Sequence, residues 1–173
     1  GYYPMAIPLT LKLLFGLDGK IFGAQIVGQD GVDKRIDTIA TTMRVGGTIR
    51  DLAKLELAYA PPYSSAKDPV NMAGFVADNI IKGLVRFVMP EEISDDMVVL
   101  DVSEDVERSV WQMPGSIHIP LGQLRARMGE LPKEKTIVTY CAIGVRSYNG
   151  ARMLMQNGFH DVRVLAGGSG FYK

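Results

Sequence analysis

The spacing of hydrophobic residues changes along the chain. Between residues 9 and 15, leucine and phenylalanine alternate with polar side chains, which predicts a strand with one buried face. Asp18-Gly19 is a hairpin-turn signal, so residues 21–27 are expected to form the returning strand. Apolar residues between 32 and 43 then fall at helical spacing. The chain is therefore predicted to open with a hairpin followed by a helix.

The pattern then predicts two more helices separated by an irregular loop. Thr48 and Asp51 resemble a capping box for a short helix. Residues 58–67, AYAPPYSSAK, contain adjacent prolines and are expected to be a loop. Asp68 is the predicted N-cap of a third helix, with Pro69 in its first position. Its apolar face comprises Val70, Ala73, Gly74, Ala77, Ile80 and Ile81.

The second half of the chain has a different organisation. Residues 98–102, 136–140 and 162–165 are short apolar runs, as expected of strands buried on both faces. Helical patterns lie between them, at 104–110, 121–128 and 147–156. Strands that alternate with helices predict a parallel sheet covered by helices. Residues 83–97 are interpreted as a junction, with a domain boundary at 83–86.

Composition narrows the class of protein. The chain has 173 residues, of which 47% are hydrophobic and 22% charged, and this is typical of one globular domain or two small ones. Its zero net charge indicates neither a nucleic-acid partner nor a membrane surface, and no apolar run predicts a membrane span. A single cysteine excludes an internal disulfide, and two histidines argue against a histidine-rich metal site. A lone thiol predicts a reducing compartment, the cytoplasm.

That cysteine, Cys141, directly follows the predicted strand 136–140, and Ser147 is expected to begin the next helix. The thiol should therefore lie at the carboxyl end of a parallel strand, where open α/β sheets hold their sites. Gly144 allows the loop to turn several amides inward, and these amides and the helix dipole would stabilise an anion. The thiol pKa is expected to fall below roughly 8.5. Arg146 adds a fixed positive charge.

Three strings of residues in this half resemble the rhodanese family. They are TIVTYCAIGVRS, VVLDVSEDVERSVWQMPGSIHIPLGQL and VLAGG, and the resemblance covers about residues 86–173. It implies an α/β fold in which Cys141 carries a persulfide, taking sulfane sulfur from a donor and passing it to a nucleophilic acceptor. Arg146 and an anion cradle complete the implied site. The cradle comprises Ala142, Ile143, Gly144, Val145 and Ser147.

The sequence departs from the rhodanese pattern at a few positions. Ser103 stands where the family usually has arginine, Trp111-Gln112 replace a glycine-histidine pair, and His118 stands where asparagine is common. We expect these positions to serve structure. His118 in particular is interpreted as a hydrogen-bonding or packing residue and not as a base.

The length of the loop distinguishes between related chemistries. Four residues separate Cys141 from Arg146, whereas the related protein tyrosine phosphatases have one residue more and so a wider cradle. The shorter loop favours a single sulfur atom over a phosphate. The side chains of Ala142, Ile143 and Val145 are apolar, which favours a protein or thiol persulfide over thiosulfate as the donor.

The first part resembles a different family. The strings YYPMAIPLTLKLLF, GAQIVGQDGVDKRID and LELAYAPPYSSAKDPVNMAG are similar to the C-terminal dimerisation domain of pyridine nucleotide–disulfide oxidoreductases. Within that family the strings most resemble the branch of coenzyme A-disulfide reductase and NADH-dependent persulfide reductase. The predicted architecture is therefore a partial α+β dimerisation domain at 1–83, followed by the rhodanese-like α/β domain at 86–173. The first strand of the dimerisation domain is expected to precede Gly1.

This second resemblance implies a longer flavoprotein of which the chain is the C-terminal fragment. FAD, NADH and coenzyme A are implied for that parent, and the parent is expected to be a homodimer. The sequence contains no Gly-x-Gly-x-x-Gly turn to receive a pyrophosphate, so this chain by itself is expected to bind no cofactor.

The resemblance also implies a role for tyrosines at the partner subunit's reductase site. Tyr2 and Tyr59 match the family's positions, and Tyr63 is a further candidate. A phenol can donate a hydrogen bond to a departing thiolate and so favour cleavage of a disulfide. The alternative is that these tyrosines are packing or interface residues.

Three hypotheses follow for the chain as a whole. The first is a sulfurtransferase domain fused to the dimerisation part of an FAD- and NADH-dependent reductase, with a persulfide, polysulfide or coenzyme A as sulfur donor or thiol acceptor. The second is a non-catalytic dimerisation and docking module. The third is phosphatase or arsenate-reductase chemistry, which the short loop disfavours.

Overall fold

The computed structural model of the chain describes residues 6–60 and 63–172. The chain divides into two compact units, Gly1–Lys82 and Gly83–Lys173. Tyr2, one of the predicted site residues, lies outside the described residues, as do Pro61 and Pro62. None of the described helices is both long and apolar enough to cross a membrane.

The described part of the first unit contains a hairpin and three helices. Strands β1 (Leu9–Phe15) and β2 (Ile21–Gly28) pair antiparallel. They are followed by helices α1 (Val32–Arg44), α2 (Ile49–Lys54) and α3 (Pro69–Ile81). Partly buried and exposed residues alternate along β1, which confirms the predicted strand. The predicted hairpin turn is also present, with Gly19 at a φ of 91° that favours glycine.

The helix starts of this unit follow from local hydrogen bonding. Thr48 N donates to Asp51 Oδ2 at 2.7 Å, so the capping box of α2 forms as predicted. Val70 N donates to Asp68 Oδ1 at 3.0 Å, and Pro69 occupies the first turn of α3. These caps fix where the two helices begin.

The core of the first unit lies between the hairpin and the helices. It is formed by Ile21, Ile39, Ile49, Leu52, Val70 and Ala77. Close packing of α2 on α3 depends on Gly74, because a Cβ at this position would lie 2.6 Å from both Ala53 N and Ile49 O. Both of these atoms belong to the backbone, which has little freedom to move aside.

The second unit alternates strands with short helices. The strands are β3 (Phe87–Val88), β4 (Val98–Asp101), β5 (Ile117–His118), β6 (Ile137–Tyr140) and β7 (Val162–Leu165). The helices are α4 (Asp105–Val110), α5 (Leu121–Arg127) and α6 (Val145–Gln156). Short 3₁₀ turns occur at Pro90–Glu92, Met128–Glu130 and Ser169–Phe171.

The strands of the second unit form one five-stranded parallel sheet in the order β3-β7-β6-β4-β5. This confirms the predicted α/β fold with a parallel sheet. All four residues of β6 are buried, as expected of a central strand covered on both faces. The strand ends at Tyr140, so the residue that follows lies at the carboxyl edge of the sheet.

Two strands and one helix boundary differ from the prediction. β3 lies within residues 83–97, which were interpreted as a junction, and β5 was not predicted. Strands of two residues are too short to produce a periodic pattern. Helix α6 begins at Val145 and not at Ser147, because Gly144 adopts a φ of 100° and turns the chain directly into the helix.

Replacing Gly74 by alanine should destabilise the first unit, since the added methyl group would press on the backbone of α2. We expect a loss of about 1–3 kcal/mol in the free energy of unfolding. Denaturant titration followed by far-ultraviolet circular dichroism measures it. Gly23→Ala is the matched control, because a Cβ there meets no atom within 4 Å. Equal stability of the two variants would contradict this account of the packing.

Candidate active site

Cys141 lies at the carboxyl end of the middle strand of the parallel sheet, directly after β6. Its thiol is free and its side chain is buried. The loop that follows runs only to Gly144 before α6 begins. The sulfur is therefore enclosed by the short segment that joins a buried strand to a helix N-terminus, as the sequence predicted.

The loop closes around the sulfur through its backbone. The amide of Gly144 donates to Cys141 Sγ at 3.3 Å, and its φ of 100° turns this N–H inward. The neutral Cys141 thiol donates to Ser147 Oγ at 3.7 Å, and the Ser147 hydroxyl donates to the carbonyl oxygen of Gly144 at 2.8 Å. When the thiol ionises, the hydroxyl can turn to donate to the thiolate instead. Strand, loop and first helical turn are thus joined by hydrogen bonds at the sulfur.

Two opposing effects set the pKa of the Cys141 thiol. Burial raises the pKa, because a charged sulfur loses its hydration. The backbone amides of Ser147 and Ile143, the Ser147 hydroxyl and the Gly144 amide act in the opposite direction by donating to the thiolate. The hydrogen bonds prevail, and the pKa of Cys141 lies below its ordinary value. The cradle therefore favours the nucleophilic thiolate form.

A turn after β7 supports the cysteine loop from the other side. Ser169 N donates to Cys141 O at 2.9 Å, and Gly170 N donates to Ala142 O at 2.9 Å. A Cβ at Gly168 would lie 2.6 Å from Ala142 O and 2.7 Å from Cys141 O. The glycines of the VLAGG string thus allow this turn to approach the carbonyls of the loop, which leaves the loop amides facing the sulfur.

The remaining loop side chains point outward. Ile143 is 77% exposed and Val145, the first residue of α6, is 62% exposed. Ala142 is half-buried and lines a cavity beside the cysteine. These residues surround the cradle with apolar surface.

Arg146 lies in the first turn of α6 and forms an ion pair that the sequence did not reveal. Its guanidinium donates through Nη2 to Glu107 Oε1 at 2.6 Å and through Nη1 to Glu107 Oε2. These hydrogen bonds raise the pKa of Arg146, and the neighbouring Cys141 thiolate raises it further. The positive charge predicted for the loop is therefore shared between a carboxylate and the sulfur.

A cavity of about 150 Å³ opens beside the cysteine. Ligand pockets commonly have several times this size, so the cavity fits a small group and not a whole cofactor. It is lined by Ser103, Glu107, Val110, Trp111, Tyr140, Ala142 and Ser169. Among these lining residues, only Glu107 is charged at neutral pH.

A buried polar network supports the wall of this cavity. The carboxylate of Asp101, at the end of β4, accepts from Tyr140 Oη at 2.9 Å and from Arg108 Nη1 at 3.1 Å. Burial and the neighbouring Asp101 raise the pKa of the Tyr140 phenol, so it remains a neutral donor. Ser116 joins the network through Arg108 and Tyr140. The network ties the ends of β4 and β6 together.

Two of the positions that depart from the rhodanese pattern, Ser103 and His118, have hydrogen-bond partners near the end of β4. Ser103 N donates to Asp101 Oδ1 at 2.9 Å, and His118 Nε2 lies 2.8 Å from Ser103 O. His118 Nδ1 lies 3.6 Å from Asp105 Oδ1. These contacts are those of a histidine that supports the loop after β4.

The tyrosines predicted for a reductase site lie in the first unit. Tyr59 is 58% exposed and Tyr63 is 72% exposed. Their loop is held at its far end, where Ser64 Oγ donates to Asp68 Oδ2 at 2.7 Å and Arg35 forms a buried ion pair with Asp68. Lys34 Nζ also donates to Tyr63 O at 2.6 Å. The described residues from Tyr63 onward are thus tethered, and the phenol side chains of Tyr59 and Tyr63 are exposed.

Sequence reasoning missed Glu107 and the pairing of Asp101 with Arg108. Arg146 was predicted as a site residue, but its partner Glu107 was not, because an ion pair between α4 and α6 cannot be identified from spacing. Glu107 did occupy the third position of a helix, where an acid commonly caps, and its Oε2 accepts from Glu104 N at 3.1 Å.

Comparison with known proteins shows that the chain is similar to rhodanese-like domains and to coenzyme A disulfide reductases. Residues 89–170 match the model of the rhodanese-like domain family. Coenzyme A disulfide reductase of Staphylococcus epidermidis is 46% identical over 78 residues, which is 44% of this chain and 18% of that protein. The chain therefore corresponds to a small part of the length of such relatives.

Two solved structures resemble nearly the whole chain. Reduced CoADR-RHD of Bacillus anthracis has a TM-score of 0.95 and 48% identity, over 99% of this chain and 32% of that one. The NAD-dependent persulfide reductase of A. fulgidus has a TM-score of 0.89 and 44% identity, over 99% of this chain and 31% of that one.

Replacing Ser147 by alanine should raise the pKa of the Cys141 thiol, since one donor to the thiolate is lost. The rate of alkylation by iodoacetamide is measured across pH, and the midpoint of this pH profile should lie at a higher pH in the variant than in the unsubstituted chain. In the unsubstituted chain, the midpoint should lie below roughly 8.5, the ordinary pKa of a cysteine. Ser109→Ala, a change at an exposed serine of α4, should leave the profile unchanged. Identical profiles for all three chains would show that the Ser147 hydroxyl does not lower the pKa of Cys141.

Proposed function

We propose that Cys141 transfers sulfane sulfur as a persulfide. The chain is homologous to coenzyme A disulfide reductase, and the solved structure that it resembles over 99% of its length is CoADR-RHD. The observation that carries the proposal is the set of donors around one free cysteine, which lowers its pKa despite burial. Such an arrangement stabilises a thiolate and equally the terminal anion of a persulfide. Cys141 lies within the residues that match the rhodanese-like family.

The proposed reaction has two displacement steps. The Cys141 thiolate attacks the outer sulfur of a donor R–S–SH, the S–S bond breaks, and RS⁻ leaves with the electron pair. The enzyme persulfide loses its proton to give Cys–S–S⁻. A nucleophile such as cyanide then takes the outer sulfur, forming thiocyanate and restoring the thiolate. The amides of Ile143, Gly144 and Ser147 would stabilise the anion in each step, and their donation to the Cys141 sulfur supports this role.

The proposed donors and acceptors are small thiols and their sulfur adducts: a persulfide, a polysulfide or coenzyme A. The cavity of about 150 Å³ supports this assignment, because it fits the reacting end of such a molecule while the remainder stays outside. The site of action is proposed to be the cytoplasm, where a thiol remains reduced. Residues 86–173 constitute the proposed sulfurtransferase domain.

A reductive half-reaction is proposed for a longer parent protein. Residues 1–83 would form part of its dimerisation domain, and Tyr2, Tyr59 and Tyr63 would lie at the partner subunit's reductase site in a homodimer. The exposure of Tyr59 and Tyr63 supports that assignment. The residues of this chain do not fit FAD or NADH, because the sequence has no glycine turn for a pyrophosphate. Neither cofactor takes part in the steps proposed for Cys141.

A second candidate function is a non-catalytic docking module. One observation favours it: the Cys141 side chain is fully buried in this structure, with 0% exposed. In that case the thiol would resist alkylation at neutral pH, and the amide cradle would only stabilise the loop. Sulfur transfer and alkylation therefore distinguish the two functions.

The chain incubated with a thiol persulfide and cyanide should form thiocyanate, and Cys141→Ser should abolish this, because a hydroxyl in the same cradle remains protonated and unreactive at neutral pH. We expect a loss of at least about a thousandfold. Thiocyanate is measured as its coloured iron complex. Ser109→Ala serves as a control with normal activity. Turnover that survives in Cys141→Ser would contradict the proposal. If the unsubstituted chain shows no turnover and its thiol resists alkylation, the docking module is supported instead.

A further inference from the structure

Glu107 lines the cavity and pairs with Arg146, in the first turn of α6. Its carboxylate forms part of the cavity lining and accepts two hydrogen bonds from Arg146. The pair is only partly shielded, with 40% of the Glu107 side chain and 28% of the Arg146 side chain exposed. An incoming donor therefore meets both charges together.

The pair leaves the cavity without a net positive charge. The guanidinium and the carboxylate cancel, and the other six lining residues carry no charge at neutral pH. The Cys141 thiolate adds a negative charge beside them. An anion that approaches this cavity is repelled by the thiolate and gains little from an arginine that is already paired.

We propose that Glu107 is a specificity-determining residue that selects sulfur donors by the charge at their reacting end, against dianions such as thiosulfate and in favour of organic persulfides whose group next to the sulfur is uncharged. This inference rests on the sulfur transfer proposed above. Glu107 acts through Arg146, by occupying the two N–H groups that would otherwise bind the oxygens of an anionic donor.

The balance of charge explains the selection. Attack on thiosulfate forms Cys–S–S⁻ and releases SO₃²⁻, so three negative charges share the site. Attack on R–S–SH forms Cys–S–SH and releases RS⁻, so the site holds one negative charge during the displacement, and Cys–S–S⁻ forms only when the product then loses its proton. A paired arginine tolerates the second reaction far better than the first, because stabilising the larger charge would require the guanidinium to leave Glu107.

The test compares reagents that carry more and less negative charge at the reacting end in Glu107→Gln. Glutamine can still accept from Glu104 N, so the cap of α4 is retained while the charge is removed. Two ratios are measured: thiocyanate formation (kcat/KM) with thiosulfate against the persulfide of 2-mercaptoethanol, and alkylation of Cys141 by iodoacetate against iodoacetamide. Each ratio cancels changes in the intrinsic reactivity of the thiol.

We expect both ratios to rise on the order of three- to tenfold in Glu107→Gln, the effect of one charge at a partly exposed site. Asp105→Asn is the matched control, since it removes a carboxylate from the same helix at a side chain that is 85% exposed and outside the cavity lining. Its ratios should stay unchanged. Arg146→Gln should lower both ratios. Combining it with Glu107→Gln should bring both ratios back towards those of the unsubstituted chain.

The two readouts separate this inference from the proposed function. If no variant forms thiocyanate but the alkylation ratio rises as expected, sulfur transfer fails while charge selection by Glu107 stands. If thiocyanate forms and neither ratio changes in Glu107→Gln, the inference is overturned and sulfur transfer stands. An equal change in Asp105→Asn also overturns it, because any nearby charge would then have the same effect. Should Glu107→Gln not fold, the response of Arg146→Gln decides, and unchanged ratios there overturn the inference.

Discussion

A sulfur anion removed from water must be given hydrogen-bond donors, and this requirement governs the second unit. Burial alone would cost several kcal/mol and keep the Cys141 thiol protonated. Each hydrogen bond to a charged group returns about 1.5–3 kcal/mol, so two or three well-placed donors reverse the balance. The amides of Ile143, Gly144 and Ser147 and the Ser147 hydroxyl supply these donors, which explains a lowered pKa at a buried site.

The donors can face the sulfur only if the loop carbonyls face elsewhere. Those of Cys141 and Ala142 accept from the turn after β7, at 2.9 Å each. That turn approaches closely because Gly168 has no side chain. Gly144, after β6, and Gly168, after β7, therefore act together. The positive φ of Gly144 turns its amide towards the sulfur, and the close approach at Gly168 keeps the loop carbonyls turned away from it.

The sequence predicted those features that depend on local pattern. The alternation in β1, the caps of α2 and α3 and the position of Cys141 after a buried strand all leave a signal within a few residues. The strands β3 and β5 leave none, because they form only by pairing with β7 and β4. The ion pair of Arg146 with Glu107 joins residues 39 positions apart, so only the folded chain brings it into view.

Glu107 also shows how a structural role and a chemical role can coincide in one carboxylate. Its Oε2 accepts from Glu104 N at the start of α4 and binds Arg146 at the start of α6. The cap fixes the Glu107 carboxylate at the start of α4. The fixed carboxylate in turn occupies the Arg146 guanidinium, which is then not free to bind an anionic sulfur donor. A flexible side chain would pay rotamer entropy to do the same. The ion pair is therefore preorganised, and its charge acts on donors before any chemistry begins.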